Sequence, residues 1–79
     1  MITDICYSQT AEDNYNSAVA KFKSGDAQGA IADYSAALLI NPNYTAAYND
    51  RGLVKLGLND NQGALADFDK AVHIGSSSI

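Results

Sequence analysis

The sequence predicts an all-α chain, a short α-solenoid of two helix-turn-helix repeats with four antiparallel helices. Three observations predict it. Residues 26–40, DAQGAIADYSAALLI, recur as residues 60–74, DNQGALADFDKAVHI, at an offset of 34 residues. Across that offset Asp26, Gln28, Gly29, Ala30, Ala32, Asp33, Ala37 and Ile40 reappear unchanged as Asp60, Gln62, Gly63, Ala64, Ala66, Asp67, Ala71 and Ile74, with conservative replacements at Ile31/Leu65, Tyr34/Phe68 and Leu38/Val72. Apolar residues within each unit follow the helical period, and turn formers stand between the periodic stretches.

The first helix is expected over about residues 11–24, because Ala11, Tyr15, Ala18, Val19 and Phe22 share one face. Thr10 can cap its start, with Glu12 and Asp13 in the first turn where the helix dipole favours negative charge. Ser24-Gly25 supplies a turn, and Asp26 caps a second helix over 27–40 that carries Ala27, Ala30, Ile31, Tyr34, Ala37 and Leu38. Asn41-Pro42 ends it, since proline disfavours helical geometry in the residue before it. The third helix, about 45–58, has the stripe Ala47, Tyr48, Leu53 and Leu56; Gly52 and Gly57 each weaken it by about 1 kcal/mol relative to alanine. Asn59 turns the chain, Asp60 caps, and Ala64, Leu65, Phe68, Ala71 and Val72 line a fourth helix over 61–74 that Gly75 is expected to stop. The organisation predicted is a flexible segment at 1–10, repeats at 11–44 and 45–75, and a flexible tail at 76–79.

Composition narrows the function classes. The 79 residues make one small module, and a core of this size supplies only about 3–5 kcal/mol, so a partner or self-association is expected to contribute. Nine acidic and five basic residues give a net charge of -4, with the cations dispersed, which argues against nucleic-acid or anionic-membrane partners. No apolar run approaches the roughly 18 residues of a spanning helix. The opening MITDICYSQT has neither a basic start nor a long apolar stretch, so the expectation is no leader, a cytoplasmic chain by default, and a secreted mature chain as the alternative. Cys6 is the single cysteine, which excludes an intrachain disulfide and a cysteine-built zinc site. Neither a phosphate-binding glycine loop, a nucleophile–base pair nor a metal-ligand cluster stands out, so no enzyme, metal or cofactor is expected. His73 reads as an outer-face residue, and Asp26, Asp33, Asp60 and Asp67 as caps and solvated helix faces rather than paired catalytic carboxylates.

A 34-residue helical hairpin with small residues at its crossings and a closing proline resembles the tetratricopeptide repeat. The likeness covers about residues 11–75. Tyr48, Gly52, Ala64, Phe68 and Ala71 fill the family's aromatic, small and alternating alanine–aromatic–alanine slots in the second unit, and Ala18, Ala30, Tyr34, Ala37 and Pro42 fill theirs in the first. Departures occur at Asn14, where an aromatic is usual, at Ser17 and Arg51, where leucine or a similar residue is usual, and at Lys21 and Lys55 in place of tyrosine.

The resemblance implies a protein–protein interaction scaffold whose concave face binds a peptide or protein segment. Carried over, that face is Glu12, Tyr15, Val19, Phe22, Lys23, Asn49, Leu53 and Leu56. The family's clamp for a terminal carboxylate, built from lysine and asparagine, is not expected, because its slots hold Tyr15, Val19 and Asp50. Two units fall short of the three or so that stacked repeats usually need. The alternative is therefore a self-assembling protomer that uses Phe68, Ala71, Val72 and Ile74 as its edge. Asn43-Tyr44-Thr45 matches a glycosylation sequon, with helix initiation at Thr45 as the plainer explanation.

Overall fold

The computed structural model describes residues 10–77 and shows four helices: α1 (Ala11–Lys23), α2 (Ala27–Ile40), α3 (Thr45–Gly57) and α4 (Asn61–Ser77). No strand occurs among the described residues. Helix α2 packs on both α1 and α3, and α3 packs on α4, so two hairpins share the α2–α3 contact. Cys6 and the rest of the predicted N-terminal segment before Thr10 lie outside the described residues.

Helix starts follow the expected chemistry, and one goes further. The Thr10 hydroxyl accepts from the Asp13 N–H while the Asp13 carboxylate accepts from the Thr10 N–H, a reciprocal capping box. Asp26 accepts from the Gly29 N–H at 2.9 Å and Asp60 from the Gly63 N–H at 3.0 Å. A Cβ at Gly29 or Gly63 would meet the capping carboxylate at 2.2 or 2.3 Å, which accounts for the recurrence of Asp-x-x-Gly in both units. Helix α3 has no side-chain cap: Tyr44 precedes it and Thr45 is its first residue.

The two hairpin turns are copies of one another. The Asp26 N–H donates to Lys21 O and the Gly25 N–H to Phe22 O; 34 residues later the Asp60 N–H donates to Lys55 O and the Asn59 N–H to Leu56 O. This is the Schellman arrangement, and it puts Gly25 (φ 93°) and Asn59 (φ 68°) in the left-handed region.

Small residues set the helix spacing. Ala18 meets Ala30 in a cluster with Tyr34, Leu38, Ala47 and Val54, onto which Tyr15, Val19, Ile31, Tyr44 and Tyr48 pack from the rim. Gly52 is so close to α4 that a Cβ there would lie 2.7 Å from Phe68 Cε1. Alanine and glycine contribute little burial energy themselves; they let helices approach until large side chains such as Tyr34 are enclosed, each worth about 1.5–3 kcal/mol.

Two expectations need correction. Helix α4 does not stop at Gly75 but continues to Ser77, so the predicted tail starting at residue 76 is helical through Ser77. Gly75 keeps a negative φ, and one glycine weakens a helix by about 1 kcal/mol without breaking it. Nor is Asp67 a solvated carboxylate: it is only 4% exposed.

Candidate functional site

The α1 and α3 helices approach each other across α2, and a groove of about 220 Å³ opens between them, lined by Val19, Phe22 and Lys23 of α1, Tyr34 of α2, and Asp50 and Leu53 of α3. Four of the predicted concave-face residues, Val19, Phe22, Lys23 and Leu53, thus come together. Tyr15 lies outside this lining but contacts two of its members. Its hydroxyl donates a hydrogen bond to Asp50, and its ring stacks on Tyr44 at 5.2 Å between centroids and tilts against Tyr34 at 5.6 Å. Glu12, Asn49 and Leu56 are exposed and do not line the groove.

Tyr34 and Asp50 are the groove residues that sequence reasoning missed. From the sequence Tyr34 reads as a packing residue, and Asp50 as a slot that does not fit the family's clamp. Asp50 lies three residues before Leu53, on the same helix face, and that spacing was the available signal.

The groove carries one cation, Lys23, and one carboxylate, Asp50. The hydrogen bond to Asp50, then burial, push the Tyr15 phenol well above its ordinary range, so it remains a neutral donor. Burial pushes Tyr34 up to about 12, with Asp50 adding to the effect. Burial likewise raises Tyr44. Lys23 is exposed at the rim beside the apolar floor, while Phe22 and Leu53 leave 47% and 54% of their surface open.

A polar bolt crosses each hairpin. In the second, Asp67 accepts from Arg51 Nε at 2.9 Å and Nη2 at 2.8 Å, with Lys55 Nζ at 3.2 Å. Arg51 Nη1 also donates to Ser35 Oγ at 2.9 Å, and the guanidinium lies 5.6 Å from the Tyr48 ring centroid, so one side chain joins α2, α3 and α4. In the first hairpin Ser17 Oγ donates to Asp33 at 2.6 Å and Lys21 Nζ stands 3.0 Å away. The departures at positions 17, 21, 51 and 55 therefore answer the recurring Asp33 and Asp67. Burial alone would raise the Asp67 carboxyl, but Arg51 and Lys55 overcome it and hold the group below its usual range. Ser17 first, and Lys21 with it, lower Asp33 against its own burial.

The predicted self-association edge is divided. Ala71 is buried, and the Phe68 ring lies against Gly52. Val72 is 64% exposed and Ile74 half-buried; Leu65, which the sequence reading did not place at this edge, is also 64% exposed. Asn43 is exposed in the connection between hairpins, its N–H donating to Asn41 Oδ1 at 3.1 Å. It borders a broad hollow of about 590 Å³ with Ala66, Asp69, Lys70, His73 and Ile74. No group of three or more histidine, cysteine or acidic residues with metal-binding geometry occurs among the described residues.

Fold and groove together define a small all-α protein of two helical hairpins. No known family model matches the chain, and no curated protein matches it.

Proposed function

We propose that the chain is a tetratricopeptide-type binding module that holds a peptide or an exposed protein segment in the α1–α3 groove, without catalysis. The observation that carries this reading is the convergence of Val19, Phe22, Lys23 and Leu53 around one opening whose floor is Tyr34. At about 220 Å³ the groove is smaller than the roughly 300–1,000 Å³ of pockets for drug-sized ligands. It suits one or two side chains of an extended segment: an aliphatic or aromatic anchor between Phe22 and Leu53, with an acidic neighbour toward Lys23.

Panning a displayed random-peptide library against the chain tests this. Enrichment of an apolar anchor next to an acidic residue, with binding lost in Phe22→Ser and Leu53→Ser chains of unchanged helicity, supports the proposal. Selected peptides that bind both variants as well as the parent remove it.

A second reading, self-assembly through α4, draws on the exposure of Leu65 and Val72. Head-to-tail stacking would set that face against the leading side of α1, where Asp13, Asn14 and Ser17 offer no apolar surface. The binding-module reading is the better supported.

A further inference from the structure

A segment that fills the α1–α3 groove covers Asp50, the one carboxylate in its lining. One oxygen of Asp50 accepts the Tyr15 hydroxyl. Among the described residues Asp50 forms no ion pair: Lys21 is engaged by Asp33, Arg51 and Lys55 are engaged by Asp67, and Lys23 lines the same groove without reaching Asp50. Lys70, the remaining basic side chain, belongs to the hollow beside Asn43 on α4. The charge of Asp50 adds to the upward push on the phenols of Tyr15, Tyr34 and Tyr44, and Glu12 adds to it at Tyr44. The Asp50 end of the groove is therefore negative.

We infer that the groove selects segments carrying a lysine or arginine, whose charged tip binds Asp50 and whose alkyl stem lies along Val19, Phe22 and Leu53. An apolar group laid over Asp50 strips water from a carboxylate that a single phenol satisfies only in part, and a covered charge without a partner opposes binding. A basic side chain removes that penalty and brings apolar surface with it, because lysine and arginine bury their methylene stems while the head stays with its charge partner. Lys23 at the rim still takes the acidic neighbour, so the preferred segment carries charges of both signs, with the base toward Asp50. A carboxylate placed at that end is repelled. The inference rests on the groove-binding reading and adds to it the charge of the ligand and the residue that selects it.

The test pans one displayed random-peptide library against the full parent chain and its Asp50→Asn, Phe22→Ser and Leu53→Ser variants, with helicity checked by circular dichroism. Asparagine keeps an acceptor for the Tyr15 hydroxyl and removes only the charge. The parent should enrich lysine or arginine beside the apolar anchor. The most enriched peptide is then made again with glutamine for its base, and both forms are titrated by fluorescence anisotropy. The glutamine form should bind the parent about tenfold more weakly, because bonds between ionised partners are roughly twice as strong as neutral ones. Asp50→Asn should bind the two forms equally. Selected peptides that carry no base, yet lose binding in Phe22→Ser and Leu53→Ser, overturn the charge preference and leave the groove reading standing. A glutamine form that binds the parent as tightly as the original does the same, as does a loss that persists in Asp50→Asn. Peptides that bind all four chains alike, or no enrichment at all, remove both. The two peptide forms are compared on the parent chain itself, so that result holds even where a variant fails to fold.

Discussion

Asn59 is where one residue's backbone most directly sets stability. It occupies the left-handed conformation that Gly25 occupies in the twin turn, and only one of the two lacks a Cβ. Left-handed geometry costs an ordinary residue about 1–2 kcal/mol, less for asparagine. Asn59→Gly is accordingly expected to raise stability by about 0.5–1 kcal/mol, and Gly25→Ala to lower it by about 1–2 kcal/mol, read from thermal or urea melts. Equal melting points for parent and Gly25→Ala would show that the turn relaxes. Both turn positions were legible in the sequence, because glycine and asparagine beside a capping aspartate signal a left-handed stop. The burial of Asp67 was not. Its partners Arg51 and Lys55 sit 16 and 12 residues upstream on another helix, and helical periodicity relates only residues of the same helix. A recurring aspartate aligned with a recurring cation was the available clue, but it cannot distinguish a solvated pair from an enclosed one.

Between elements, the polar bolt makes the second hairpin depend on Arg51. Removing one partner of a buried ion pair costs about 3–5 kcal/mol because the other charge is left uncompensated. Lys55 remains beside Asp67, so Arg51→Leu should fall toward the lower end, about 3 kcal/mol, as measured by urea denaturation. Adding both Asp67→Leu and Lys55→Met, which leaves no charge stranded, should recover much of the loss, since packed apolar residues often match a buried ion-pair group. If the triple variant is no more stable than Arg51→Leu alone, the bolt is not a coupled group. The contact across the repeats has a different character. Tyr15 stacks on Tyr44 and tilts against Tyr34 there, and it binds an aspartate 35 residues away. The helices that carry these groups were foreseeable from hydrophobic spacing. Which face of α1 would meet α3 was not, because the relative rotation of two helices depends on side-chain fit. The groove was thus half legible: Val19, Phe22, Lys23 and Leu53 came from the resemblance to the repeat family, while Tyr34 and Asp50 required the helix rotations to be known.

For the whole molecule, linked protonation fixes the pH range of stability. Asp33 and Asp67 are held below the ordinary value of 3.8, so the unfolded chain takes up protons first on acidification. Their contribution is complete above that value and disappears as the pH falls through the folded-state values. Tyr15 and Tyr34 are raised from 10.0, so their contribution is complete below pH 10.0 and fades as the pH rises through the folded-state values. Denaturation curves should therefore show a plateau bounded by an acid limb beginning near pH 4 and an alkaline limb beginning near pH 10. Asp67→Asn should flatten the acid limb. An unchanged acid limb in that variant would mean that other carboxylates control it.

The tyrosine stack also provides an optical handle. The chain has no tryptophan and five tyrosines, so its ultraviolet emission comes from phenols alone. A phenol bonded to a carboxylate loses excitation to the proton acceptor, so Tyr15 is expected to be dim while α1 and α3 hold it against Asp50. Brightening of the native chain would then signal separation of the two repeats, giving a label-free measure of how the solenoid opens.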